Sequence, residues 1–317
     1  MKSGFYSLCY HYIRKENDDP LPRIFGTKIN DFNDHVDMIK KEYNPISLED
    51  VISFYYNKSD MNNIKNGLLM TFDDGLNDQF EAAKILSENN ISGVFFIPTC
   101  TIVDNLPASP IILHYAIAIH GRKQFFNLLK KLIDEKYQIT KTYFDRVFLT
   151  DDIQKSIEMI KNIFYYKLEP SLSRNFLIDI FYSMIQNEKI SNEDIHLSKN
   201  QIKELLNMGH FIGTHSHSHI SLARKEINDD YMKKELLNPK NDLENIFNVN
   251  ISCMSYPFGE SRDCFNAQEL FKKTKTYELA FTIEHKFNTE NTSPLEIGRY
   301  MVDSRDSVDV LNKKINL

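Results

Sequence analysis

The feature that most constrains this chain is an alternation of short, mostly apolar runs with amphipathic stretches of helical period. Short apolar runs bounded by polar residues suit strands buried on both faces of a parallel sheet. Phe5–Tyr10, Gly67–Phe72, Gly93–Ile97, Phe211–Thr214, Ile251–Tyr256, Leu279–Ile283 and Glu296–Val302 read as such strands. Helices are expected between them. Asp31–Tyr43 is one, with Asp31 as N-cap, and Ser47 to Asp50 forms a capping-box start for another that runs through Val51–Tyr56. Asn77–Asn90, a helix capped by Ser198 and stopped by Gly209, Asp229–Phe247, Ala267–Thr276 and a short closing helix complete the series. Strand–helix repetition of this kind predicts an α/β fold with a parallel sheet, open or closed into a barrel.

The alternation breaks between about 105 and 197, where three helical stretches occur and no strong strand. They are Ile111–Tyr137, Asp152–Leu168 and Ser173–Asn187. The segment reads as a helical insertion or cap inside a single domain spanning 1–317, and as a candidate lid over the barrel mouth. A chain of 317 residues that is 42 % apolar and 26 % charged buries a sizeable core. Its net charge of -6 argues against nucleic acid or an anionic membrane as partner. Cys9, Cys100, Cys253 and Cys264 form no C-x-x-C pair, so free buried thiols are expected. The opening residues lack a long apolar stretch and a small-residue cleavage site, and no apolar run reaches membrane-spanning length. A cytoplasmic location, with no membrane span, is the expectation.

Three polar clusters follow expected strands directly: Asp73-Asp74-Gly75, His215 to His219, and Pro257-Phe258-Gly259. In α/β barrels the functional residues collect at the carboxyl ends of strands. Adjacent carboxylates repel unless a cation or other partner offsets them. At a strand end turning into Gly75, Asp73 and Asp74 can diverge, one toward a metal and the other toward a water; a solvated turn is the bland alternative. The segment THSHSH places three of the ten histidines in five residues. On a helical turn His215 and His219 share a face and His217 points away. On an extended strand His215 and His219 would stand about 13 Å apart, too far for one ion about 2.1 Å from each nitrogen. Shared ligation therefore requires the chain to curl after Thr214. Asp-His-His around a divalent ion leaves positions open for water, as a hydrolytic site needs.

These motifs resemble those of the polysaccharide deacetylases, the NodB-homology family or carbohydrate esterase family 4. Thr71 to Gly75 match the T-F-D-D-G motif, His215 to His219 match H-[ST]-x-x-H, and Tyr256 to Gly259 resemble the R-P-P-Y-G or Y-P-Y-G turn. Tyr10-His11 and Ile297 to Arg299 also resemble the family's first and last strands. The resemblance covers about 1–103 and 198–305. It implies a distorted (β/α) barrel of the NodB-homology type, and an enzyme that removes an N-acetyl group from a sugar. It implies Asp74, His215 and His219 as ligands of one divalent metal, zinc first, and Asp73 as the base that deprotonates a metal-activated water. A backbone N–H near Phe258 would help hold the oxyanion. The chain departs from the pattern at several places. Ser255 stands where the family has the Arg that orients the base, and Arg299 is the candidate replacement. Phe258 stands for Tyr, no Trp motif exists, and the late Leu-x-His that supplies the acid is not evident. His11, then His285, are the candidate acids. His217 is expected to be a bystander, and His114 and His120 to belong to an ordinary amphipathic helix.

Competing readings are an H-x-H amidohydrolase site built on His215 and His217, a non-catalytic sugar-binding homologue, and an O-acetyl esterase on the same metal site. The expected substrate is an N-acetylated saccharide, sugar nucleotide or lipid-linked sugar.

Overall fold

The computed structural model describes residues 3–15, 24–57, 64–223 and 228–315. Its centre is an eight-stranded parallel sheet. The strands are β1 (Phe5–Tyr10), β2 (Asn44–Pro45), β3 (Gly67–Phe72), β4 (Gly93–Ile97), β5 (Phe211–Thr214), β6 (Cys253–Ser255), β7 (Leu279–Phe281) and β8 (Tyr300–Met301). The order is β8-β1-β3-β4-β5-β6-β7, with β2 also pairing to β3. β3, β4, β6 and β7 are buried along their whole length, which is why they read as predominantly apolar runs. Register follows from the ladders: Tyr10 lies opposite Phe72, Phe72 opposite Phe95, and Ile97 opposite Thr214. The rings of Phe72 and Phe95 stack across the sheet at 4.5 Å. Burial of each such side chain stabilises the fold by about 1.5–3 kcal/mol.

The two sheet edges meet through the stretch 297–301. The Ile297 N–H donates to the Ala280 carbonyl at 3.0 Å and its carbonyl accepts from the Thr282 N–H at 2.8 Å. Tyr300 and Met301 then pair with Leu8 and Cys9 of β1. The strand expected over Glu296–Val302 is thus split: one end joins β7, the other joins β1. Arg299, between them, is fully buried against the rings of Phe96 and Phe281. The result is the distorted parallel barrel that the motifs implied.

Helices α1 (Ile29–Glu42), α2 (Leu48–Tyr56) and α3 (Gln79–Glu88) belong to the first half of the barrel. Ser47 and Asp50 form the capping box at α2. The N-cap of α1 is Lys28, without a side-chain cap, and Asp31 lies in the first turn, where its charge suits the helix dipole. Between β4 and β5 run α4 (Ser109–Glu135), α5 (Lys141–Leu149), α6 (Ile153–Asn162) and α7 (Pro170–Ile180). They enclose an apolar core of their own around Phe125, Phe144, Phe164 and Phe176. α4 is kinked at Gly121, whose φ is +66. α6 and α7 run on into π-type turns, Ile163–Lys167 and Phe181–Ile185. The second half adds α8 (Lys199–Asn207), α9 (Asn238–Phe247), α10 (Ser261–Thr274) and α11 (Val308–Ile315). Ser198 caps α8 through a capping box with Gln201. α10 starts six residues earlier than the expected Ala267, because Ser261 to Asn266 carry little apolar periodicity. No described helix is long and apolar enough to cross a membrane. The four cysteines are free and buried.

Candidate active site

The three polar clusters come together at the carboxyl ends of β3, β5 and β6. β3 ends at Phe72, and the chain then turns sharply: Asp74 has φ +73 and Gly75 has φ +56. A left-handed Asp is strained, and such strain persists only where the surroundings fix it. Here the fixing groups are visible. The Gln79 amide donates to the Asp73 carbonyl at 2.6 Å and to the His11 carbonyl at 2.9 Å. His196 Nδ1 donates to the Asp74 carbonyl at 3.0 Å. Neither Gln79 nor His196 was singled out from sequence, since neither sits in a motif.

After Thr214 the chain does curl, but not as a helix. Ser216 and His219 both take left-handed φ, +58 and +55. The buried Glu235 carboxylate holds the curl, accepting from the Ser218 N–H at 2.9 Å and the Ser218 hydroxyl at 2.7 Å. The His215 and His219 rings meet edge to face at 4.5 Å. His217 faces elsewhere: its Nδ1 accepts from the Thr99 hydroxyl at 3.0 Å and its Nε2 donates to Asp104 at 3.0 Å. It is a structural pin, which disfavours the H-x-H reading. His114 Nδ1 lies 3.1 Å from the Tyr12 hydroxyl, and His120 Nε2 donates to the Met184 carbonyl. His285 packs on Tyr300 and meets the Ile315 backbone, so the structure does not bring this candidate acid to the cluster.

Asp74, His215 and His219 each turn a ligand atom inward, all within 4.8 Å of one another. Asp74 Oδ1 is 3.3 Å from His219 Nε2 and 3.7 Å from His215 Nε2. Ligands about 2.0–2.1 Å from a tetrahedral ion stand roughly 3.3 Å apart, so the spacing fits one small divalent cation. Asp74 Oδ1 is buried and has no hydrogen-bond partner among the described residues. His215 donates Nδ1–H to the Ser255 carbonyl at 2.9 Å, which leaves its Nε2 lone pair facing the cluster. Burial lowers the pKa of both imidazoles, so both present neutral, ligand-competent rings. Burial first, and then the charge of Asp73, pushes the Asp74 carboxyl up to about 8. The three side chains could hold a cation beside this carboxyl group.

Asp73 has the opposite surroundings. Arg299 grips it with both nitrogens, at 2.7 and 2.8 Å, and the Ser255 hydroxyl donates to it at 3.0 Å. Burial, the largest single influence, would raise its pKa, but the charge and hydrogen bonds of Arg299, together with the neighbouring His215 and His11, outweigh burial and hold it far below the usual carboxylate range. Ser255 is therefore no empty substitute for the family's arginine: it keeps Asp73 and Arg299 in register through one hydroxyl. His11 and Cys9 lie beside Asp73. Burial lowers His11 to about 4, so it is neutral near pH 7. Phe258 has φ +62, followed by Gly259 at +68, and its ring lies 4.9 Å from His219. Tyr165 and Tyr166 of the π-type turn after α6 reach this ring at 4.8 and 5.8 Å, so the helical segment touches the site.

A parallel α/β barrel with a carboxylate–imidazole cluster beside a second, saturated carboxylate defines the class. The sequence model of the family described as polysaccharide deacetylase matches residues 176–276. That match includes His215 to His219 and Pro257 to Gly259; Asp73 and Asp74 precede it. It begins inside the helical segment, earlier than residue 198 where the motif resemblance resumes. The family resemblance read from the motifs thus holds. No curated protein matches the sequence. The fold is shared with the Streptococcus pyogenes deacetylase PplD, in complex with acetate (TM-score 0.58, 15 % identity, 98 % of each chain). It is also shared with IcaB from Ammonifex degensii (TM-score 0.55, 14 % identity, 100 % of this chain and 98 % of that one). A de-N-acetylase from Aggregatibacter actinomycetemcomitans is similar too (TM-score 0.57, 14 % identity, 98 % and 99 %).

Proposed function

We propose that this chain is a metal-dependent sugar deacetylase that hydrolyses the amide of an N-acetylated saccharide, sugar nucleotide or lipid-linked sugar. The observation that carries the reading is the buried, unpartnered Asp74 oxygen, set at metal-ligand spacing from two neutral imidazoles and next to a separate carboxylate. Asp74, His215 and His219 would hold one divalent ion, zinc by ligand type. Bound there, it would supply positive charge for an acyl oxygen and acidify a water.

The chain's own groups do the rest. Asp73 takes the proton as the water attacks the acyl carbon. Its low proton affinity, set by Arg299, makes it a modest base. The same property makes protonated Asp73 a strong acid, able to pass that proton to the departing amine. Neutral His11 does not supply a proton near pH 7, so one carboxyl serves both halves of the reaction. Arg299 is its positioning residue and also prevents it from drifting toward the ion. The Phe258 N–H, presented by the left-handed turn, is the backbone donor for the oxyanion. The helical segment closes one side of the mouth through Tyr165 and Tyr166, which favours a small or terminal sugar.

Mass spectrometry of acetate release tests this across N-acetylated sugar nucleotides, free sugars and oligosaccharides, with and without chelator. Chelator-sensitive release from at least one sugar is expected. A zinc-loaded sample that releases acetate from none would overturn the reading.

A further inference from the structure

Tyr165 is the one residue of the helical segment placed against the cluster with an unspent polar group. Its hydroxyl is buried and has no hydrogen-bond partner among the described residues. The same is true of Asp74 Oδ1 and His219 Nδ1, so three unpartnered buried atoms belong to one neighbourhood. The Tyr165 ring lies 4.8 Å from Phe258, and Phe258 lies 4.9 Å from His219. Its neighbour Tyr166 is already engaged: Arg262 donates to its hydroxyl at 3.2 Å and stacks over its ring at 4.4 Å. The π-type turn Ile163–Lys167 explains the placement. It widens the helix for one turn, so Tyr165 and Tyr166 both reach Phe258 while Ile163 and Phe164 stay in the helical core.

A buried hydroxyl without a partner is uncommon in a folded protein and asks for an acceptor from outside the chain. The nearby protein acceptor, Asp74, is the one the cation would take. Burial, and after it the charge of Asp74, raises the Tyr165 hydroxyl well above its ordinary pKa, so it stays protonated. It can donate a hydrogen bond but cannot act as the acid.

We propose that Tyr165 donates its phenolic hydrogen to the acyl oxygen of the bound substrate, a second oxyanion donor opposite the Phe258 N–H. This rests on the hydrolytic reading of the site given above. No bond is made or broken at Tyr165; its hydrogen bond strengthens as negative charge develops on the oxygen.

Tyr165→Phe removes one oxygen atom that no described residue binds, so the variant should melt like the parent. Three readings are compared between the two proteins: kcat and KM on the active N-acetylated sugar and on 4-nitrophenyl acetate, zinc affinity by chelator competition, and acetate affinity of the zinc-loaded protein. The expected result is a fall in kcat of about 10²–10³-fold on both substrates with KM and zinc affinity unchanged. Acetate should bind roughly tenfold more weakly. Unchanged kcat and acetate affinity would overturn the proposal. So would a loss confined to the sugar substrate, which would place the hydroxyl on the sugar ring, or a loss of zinc affinity, which would assign it to His219. If the parent hydrolyses the ester but no sugar amide, the functional reading fails while the ester and acetate arms still judge Tyr165.

Discussion

Asp73 and Asp74 are neighbours in the chain and identical in chemistry, yet the molecule treats them in opposite ways. Asp73 is saturated, with two bonds from Arg299 and one from Ser255. Asp74 has a buried oxygen with no partner among the described residues, facing two neutral imidazoles. One carboxylate is driven far down in pKa, and the other up to about 8. The difference teaches that the two carboxyl groups have separate tasks. The Asp73 side is satisfied by protein groups, while the Asp74 side keeps an oxygen that no described residue binds, as the proposed metal site requires.

The largest test removes the charge on the saturated side. Asp73→Asn should retain the metal and lower turnover by about 10²–10⁴-fold, as loss of a general base does. Parent-like turnover per folded protein would reassign the base. Next comes the cation that holds it. Arg299→Met leaves Asp73 buried without its counter-charge and with only the Ser255 hydroxyl donating to it, so urea unfolding should show a loss of about 3–5 kcal/mol. A loss below about 1 kcal/mol would mean that water reaches this carboxylate freely.

The unsaturated side is probed by pH in chelated protein. The Asp74 carboxyl holds its proton to about pH 8 when folded, against an ordinary value of 3.8. Between those values the folded chain binds a proton that the unfolded chain has lost. This residue therefore makes metal-free protein less stable as pH rises from about 4 to about 8, with the full cost present above that window. Asp74→Asn should flatten that slope and raise the urea midpoint at about pH 9, with little change near pH 4. An unchanged slope would show that Asp74 is already partnered without metal. The smallest effect is expected from Ser255→Ala, about 1 kcal/mol, because Arg299 keeps both its contacts to Asp73.

Much of the barrel was legible in the chain. Phe5–Tyr10, Gly67–Phe72, Gly93–Ile97 and Phe211–Thr214 appear with the bounds expected of them, because strands covered on both faces leave short, mostly apolar runs. The last strand was less legible, since Gly298 and Arg299 interrupt its ladder to bring a guanidinium inside the barrel. In the helical segment, α5 was missed: its polar-rich sequence, KTYFDRVFL, has only Phe144 and Val147 buried. At the site, the cluster of Asp74, His215 and His219 could be read from motif and spacing alone. Glu235, His196 and Gln79 could not. They shape the turns through contacts across long stretches of chain, and single acidic, imidazole or amide residues inside helices or loops give no local signal. Tyr165 was invisible for the same reason: only the packing of α6 and its π-type turn brings it to Phe258.

The central claim is that Asp74, His215 and His219 close around one ion. Equilibrium dialysis of metal-stripped protein against zinc, followed by elemental analysis, measures this directly. The account predicts one tightly held zinc per parent chain and none in His219→Ala. Parent protein that takes up no zinc, or a His219→Ala variant that still holds one, would contradict it.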